Sequence, residues 1–127
     1  MKTILSAGEV LYELLTKNET VSGIVTKVFP VVTDNAELPY IAYRRQGFRQ
    51  NESKSARFGA NTATYAVRCY AKTYSESITL AEAVRGCLDG IQVKTDEAFM
   101  RSCYITDASE SWEYDAYVQE LIFDIKM

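Results

Sequence analysis

A chain of 127 residues with 47% hydrophobic and 24% charged side chains is sized for one domain, residues 1–127, whose core needs neither disulfides nor metals. It contains no histidine, which removes the commonest general base and metal ligand and, with them, most hydrolase triads. Its three cysteines, Cys69, Cys87 and Cys103, match neither a C-x-x-C site nor a closed disulfide framework, and no signal peptide or long apolar run is present, so a soluble chain made in a reducing cytoplasm is expected.

The spacing of Ser6 and Glu9 predicts a capping box, with Leu5 and Val10 as a hydrophobic staple. Behind it Ala7, Val10, Leu11, Leu14 and Leu15 recur at helical spacing, predicting a helix that ends near Asn18. Residues 25–32 read as extended, with Pro30 confining them to an edge or a bend. Residues 40–45 predict a strand entered through Pro39. Residues 62–71 predict a half-buried strand, with Ala63, Tyr65, Val67, Cys69 and Ala71 on one face.

A second capping box, Thr73 with Glu76, opens a helix whose stripe runs through Ser77, Leu80, Ala81, Val84, Cys87, Leu88 and Ile91, with Gly90 as its stop. Residues 99–106 predict a further strand, 107–116 the connection of a hairpin, and 117–126 a last strand with Leu121, Phe123 and Ile125 inward. This order predicts an α+β fold, an antiparallel sheet with two main helices packed on one face.

The net charge is −3, but its distribution is uneven. Arg44, Arg45, Arg49, Lys54 and Arg57 stand against Glu52 alone in an irregular, polar stretch, which predicts a long mobile loop. Eight acidic residues between Asp96 and Asp124 stand against Arg101 alone, among them Glu110, Glu113 and Asp115. Trp112, Tyr114 and Tyr117 cluster in or beside this acidic segment, where a monomer has little use for three rings and a partner surface would use them. Solvated faces of opposite sign are one reading of the two stretches, and an interface is the other. With an acidic balance overall, duplex binding is not expected as the main task.

Chemistry finds little support. Cys69 and Cys87 fall on apolar patterns as small core residues, and without an imidazole nothing of that kind activates Cys103. Carboxylate pairs such as Glu110 with Glu113 carry no sign of convergence in a cleft, and no phosphate-cradling glycine motif occurs. No catalytic, cofactor or metal site is expected.

The ordered series VLYELLTKNETVSGIVTKVFPVV, ELPYIAYRR, TYAVRCYAKTYSESITLAEAVRGCLDGI and YVQELIFDIKM covers nearly the whole chain. In it the chain resembles the small tail-completion proteins of long-tailed bacteriophages and prophages, a group related to tail terminators and tail-to-head joining proteins. The resemblance implies a non-enzymatic virion subunit, assembled in the bacterial cytoplasm, forming a ring with itself, commonly of six copies. Such a ring caps the tail tube at its head-proximal end and docks the head connector. It implies no cofactor and no membrane, and DNA only in passage through the lumen. Heterologous ring contacts would explain the charge asymmetry if the Arg44 to Arg57 region met the Asp107 to Asp115 region of the next subunit or of the tube. The competing expectation is a monomeric protein- or peptide-binding module using the Tyr/Trp cluster and the basic stretch.

Overall fold

The third strand shows most directly how this sequence becomes a sheet. Its residues alternate between a face packed under helices and a face turned away, and each is paired along its whole length with residues some fifty positions later. The computed structural model describes residues 3–31, 37–50 and 61–127. Within them lie the helices α1 (Ala7–Lys17), α2 (Glu19–Ser22) and α3 (Tyr74–Leu88). The strands are β1 (Lys27–Pro30), β2 (Tyr40–Arg49), β3 (Thr62–Ala71), β4 (Ile91–Lys94), β5 (Phe99–Glu113) and β6 (Ala116–Lys126).

The α3 capping box forms. The Thr73 hydroxyl accepts from the Glu76 amide at 3.1 Å, and the Glu76 carboxylate accepts from the Lys72 amide at 3.3 Å, one residue before the usual target. Past its end Gly90 takes φ +77°, a left-handed conformation that glycine adopts without Cβ strain. The box expected at Ser6 does not form. The chain enters α1 through a 3₁₀ turn (Ile4–Ser6) capped by Thr3, so Ser6 has lost the extended backbone from which an N-cap hydroxyl reaches forward, and it makes no cap bond. Leu5 stays 61% exposed, and no staple with Val10 results.

The six strands run in the order β1-β2-β3-β6-β5-β4. All pairs are antiparallel except β1 with β2, so the sheet is mixed where an antiparallel one was expected. The cause lies just ahead of the two strands: the Thr26 amide donates to the Pro39 carbonyl at 2.8 Å, and the Thr26 hydroxyl donates to the Glu37 carbonyl at 2.6 Å. Both strands therefore start side by side and run the same way. Pro30 is tolerated because β1 is an edge strand.

One face of the sheet carries the main core. Ile41, Tyr43, Tyr65, Val67, Cys69, Leu121, Phe123 and Ile125 pack beneath Val10, Leu11 and Leu15 of α1 and Leu80, Val84 and Leu88 of α3. Removing a ring such as the fully buried Phe123 from water is worth roughly 1.5–3 kcal/mol. Close approach of α1 depends on Gly8, where a Cβ would stand 3.3 Å from the Tyr65 hydroxyl. Among the described residues the opposite face holds a small cluster, Phe29, Ala42, Tyr70, Ala116 and Val118, with Tyr40 stacked on Tyr70 at 4.6 Å.

Parts of two expected loops are strand. Arg44, Arg45 and Arg49 extend β2 along β3, with a register irregularity between Arg45 and Gly47, rather than opening a mobile excursion. Lys54 and Arg57 lie outside the described residues. The segment expected to connect the last hairpin instead continues β5 as far as Glu113, leaving a two-residue turn, Tyr114 and Asp115.

Candidate assembly surface

The β5–β6 hairpin positions most of the acidic and aromatic candidates. Its turn residues Tyr114 and Asp115 both have positive φ, 54° and 58°, as the primed two-residue turn that suits strand twist requires. Neither is glycine, and Tyr114 is held 88% exposed at the tip.

Strand alternation splits the acidic residues between the two faces. On the helix-covered face, Trp112 lies opposite Tyr117, and Glu110 opposite Gln119. Tyr74, in the first turn of α3, closes the group. The Tyr117 ring meets Trp112 edge to face at 4.8 Å and Tyr74 at 5.7 Å. The Tyr74 hydroxyl donates to the Glu110 carboxylate, 2.9 Å from Oε2, and Gln119 Nε2 donates to the same oxygen at 3.0 Å while also reaching the Ser77 hydroxyl. These bonds from Gln119 and Tyr74 hold the Glu110 carboxyl below the usual carboxylate range. The result is an open notch of about 250 Å³ with three aromatic side chains around one carboxylate.

On the opposite face Glu113 is engaged within the chain. Arg68 of β3 donates to it, Ser111 donates to it at 2.8 Å, and Arg68 Nη1 donates to the Tyr70 hydroxyl at 3.0 Å. Arg68 Nε lies 3.1 Å from Glu120 Oε2 but off the N–H axis, an ion pair without an aligned hydrogen bond. Ser111 and then Arg68 hold the Glu113 carboxyl low.

The basic candidates also separate. Arg45 turns to the helix face and donates to the Leu5 carbonyl at 3.4 Å. Arg44, on the other face, lines a pocket of about 200 Å³ together with Arg68, Glu113 and Tyr114. Arg49 stands at the far end of β2. Across the sheet its row is Arg49, Thr62, Lys126 and Ser102, whereas the row at the hairpin end is Lys27, Tyr40, Tyr70, Val118 and Ser111. Arg49 and Lys126 therefore stand at one end of the ladder and the acidic, aromatic hairpin at the other, with Lys27 on the hairpin-end row at the β1 edge.

Tyr74 and Gln119 were not among the expected interface residues. Their only signals were a tyrosine beginning a capped helix and a glutamine two positions after Tyr117, hence on the same strand face.

Cys69 and Cys103 are buried, and burial pushes both thiols up to about 12, away from the reactive thiolate. Among the described residues no group of three or more Cys, Asp or Glu side chains is placed to hold a metal ion. Among those residues no helix is long and apolar enough to cross a membrane.

The tail completion protein gp17 family matches residues 9–127. The chain belongs to this family. It is a phage tail completion protein, a structural component of the virion. Its fold is shared with solved structures. A chain from a structure described as the virion of a native gene transfer agent (GTA) particle superposes with a TM-score of 0.73 at 14% identity, over 91% of this chain and 90% of that one. No curated protein matches the sequence. In this gp17-family chain the sheet is backed by helices on one face, and its hairpin tip is exposed.

Proposed function

We propose that this tail completion protein caps the tail tube at its head-proximal end and joins it to the head connector, acting as a ring of identical subunits, six in the simplest case. Its work is contact rather than catalysis. The observation that carries this reading is the polarity of the sheet, with Arg49 and Lys126 at one end and Glu110, Trp112, Tyr114 and Asp115 at the other. A surface that differs from end to end suits head-to-tail contact between copies, the heterologous geometry from which rings are built, and opposite charges set its register.

In this reading the subunit assembles in the bacterial cytoplasm, contacts the tube protein below and connector proteins above, and lets DNA pass through the ring. The likeness to a gene transfer agent virion chain supports a place in a particle of this kind. The experiment is electron microscopy of particles made with and without the protein. Loss should leave tails of uncontrolled length or unjoined heads and tails, restored by the wild-type chain. Normal tails joined to heads in its absence would overturn the proposal. Scattering mass that stays at one chain, with binding to short peptides, would instead favour the monomeric module.

A further inference from the structure

We infer that the notch formed by Tyr74, Trp112 and Tyr117 around Glu110 receives the guanidinium of Arg49 from a second copy of this chain. The inference rests on the ring reading and gives it an atomic contact.

The notch has the chemistry of a cation receptor. Aromatic faces attract a cation through their quadrupole, and a carboxylate at the base of the group supplies the opposite charge. Glu110 retains capacity for a further donor. Its Oε2 accepts from Gln119 and Tyr74, whereas Oε1 has only the 3.2 Å contact to the Tyr74 hydroxyl. Arginine suits such a place better than lysine, because a planar guanidinium stacks on a ring and donates to a carboxylate from its edge at the same time.

Among the arginines of β2 and β3, position selects Arg49. Arg45 is turned to the Leu5 carbonyl, Arg44 lines the pocket of the opposite face beside the hairpin of its own chain, and Arg68 is bound to Glu113. Arg49 is exposed and makes no ion pair among the described residues. It cannot fill the notch of its own chain, since two strands, β3 and β6, separate β2 from β5 and the two sites lie at opposite ends of the ladder. In a head-to-tail contact Arg49 of one copy enters the notch of another, each copy still has one site unused, and addition continues until a ring closes.

Trp112 is the sole tryptophan, so the emission of the full-length protein reports on the notch directly. The test follows Trp112 emission and scattering mass together against protein concentration, at low and high salt. The expected result is a blue shift that tracks the rise in mass and recedes with salt. Both E110Q and R49E should weaken self-association on the order of tenfold, the size of one lost charge-assisted cation–π contact. The charge exchange, E110R combined with R49E, should restore mass. These substitutions are at exposed side chains, and circular dichroism checks that the fold is kept.

Rings that form with Trp112 emission unchanged, or that are indifferent to E110Q and R49E, would overturn the notch contact while leaving the ring intact. Mass fixed at one chain at every concentration would overturn the second copy as occupant. A blue shift seen only in assembled particles and unaffected by R49E would do the same, assigning the notch to another virion protein. Failure of the tail role itself is read separately, from particle morphology.

Discussion

Arg68 of β3 donates to the Glu113 carboxylate at the end of β5, reaching across β6, which runs between them. On the way its Nε meets Glu120 of β6, so one guanidinium ties three strands together on the face without helices. Exchange of Arg68 for methionine keeps an unbranched apolar stem without the guanidinium and leaves both carboxylates without their cation. A loss of roughly 1–2 kcal/mol in urea unfolding at neutral pH is expected, modest because the side chains remain partly solvated. Glu113 titrates low in the folded state, so its contribution is complete above the ordinary carboxylate range and disappears as pH falls through the folded value. The gap between wild type and R68M should therefore narrow below about pH 4.

The hairpin tip offers a test that separates stability from use. Tyr114 and Asp115 both occupy left-handed backbone, where asparagine and glycine are at ease. The double substitution Y114N with D115G should raise stability by about 0.5–1 kcal/mol in thermal unfolding. If the exposed Tyr114 ring meets a neighbour in the virion, the same variant should complement a deletion poorly. A variant both more stable and fully competent in complementation would leave Tyr114 with no contact role.

The two helix starts predict opposite outcomes for similar substitutions. Thr73→Ala removes a formed cap bond at the start of α3 and should cost about 1 kcal/mol. Ser6→Ala removes a hydroxyl that makes no such bond and should change stability by less than about 0.5 kcal/mol. Denaturant melts of the pair check both, and an equal loss at Ser6 would contradict the observed start of α1.

Thiol labelling should follow burial. Cys69 and Cys103 are buried, with their thiols pushed up to about 12, whereas Cys87 is half-buried with its Sγ 3.4 Å from the Leu14 carbonyl. Under native conditions an alkylating reagent should modify Cys87 first and slowly, with all three reacting in denaturant. Peptide mass spectrometry gives the order, and rapid native labelling of Cys69 would contradict its place in the core.

What the sequence revealed follows where one face is dry. Strands β3 and β6 were legible because their inward residues alternate with polar ones, and α3 because its cap and apolar stripe agree. The outer part of β5, from Asp107 to Trp112, is exposed on both faces, so no period of two marks it. Its extended form comes from the ladder with β6, a tertiary cause. The same holds for Gln46 to Arg49 on β2. Strand β4 has four residues at the other edge and too short a pattern to stand out. At the candidate surface, Trp112 and Glu110 were visible as residue types, but their meeting with Tyr74 depends on α3 lying over that face of the hairpin, which no local pattern encodes.

The placement of β6 has a consequence for biosynthesis. It is the last of the six strands to leave the ribosome, yet it sits in the interior of the sheet, between β3 and β5. Until it emerges, the partners it joins face each other with nothing between them, and Phe123 and Ile125 are missing from the core. Nascent chains short of this strand are therefore expected to be open, protease-sensitive species, and the whole domain to fold in one late step governed by distant pairings.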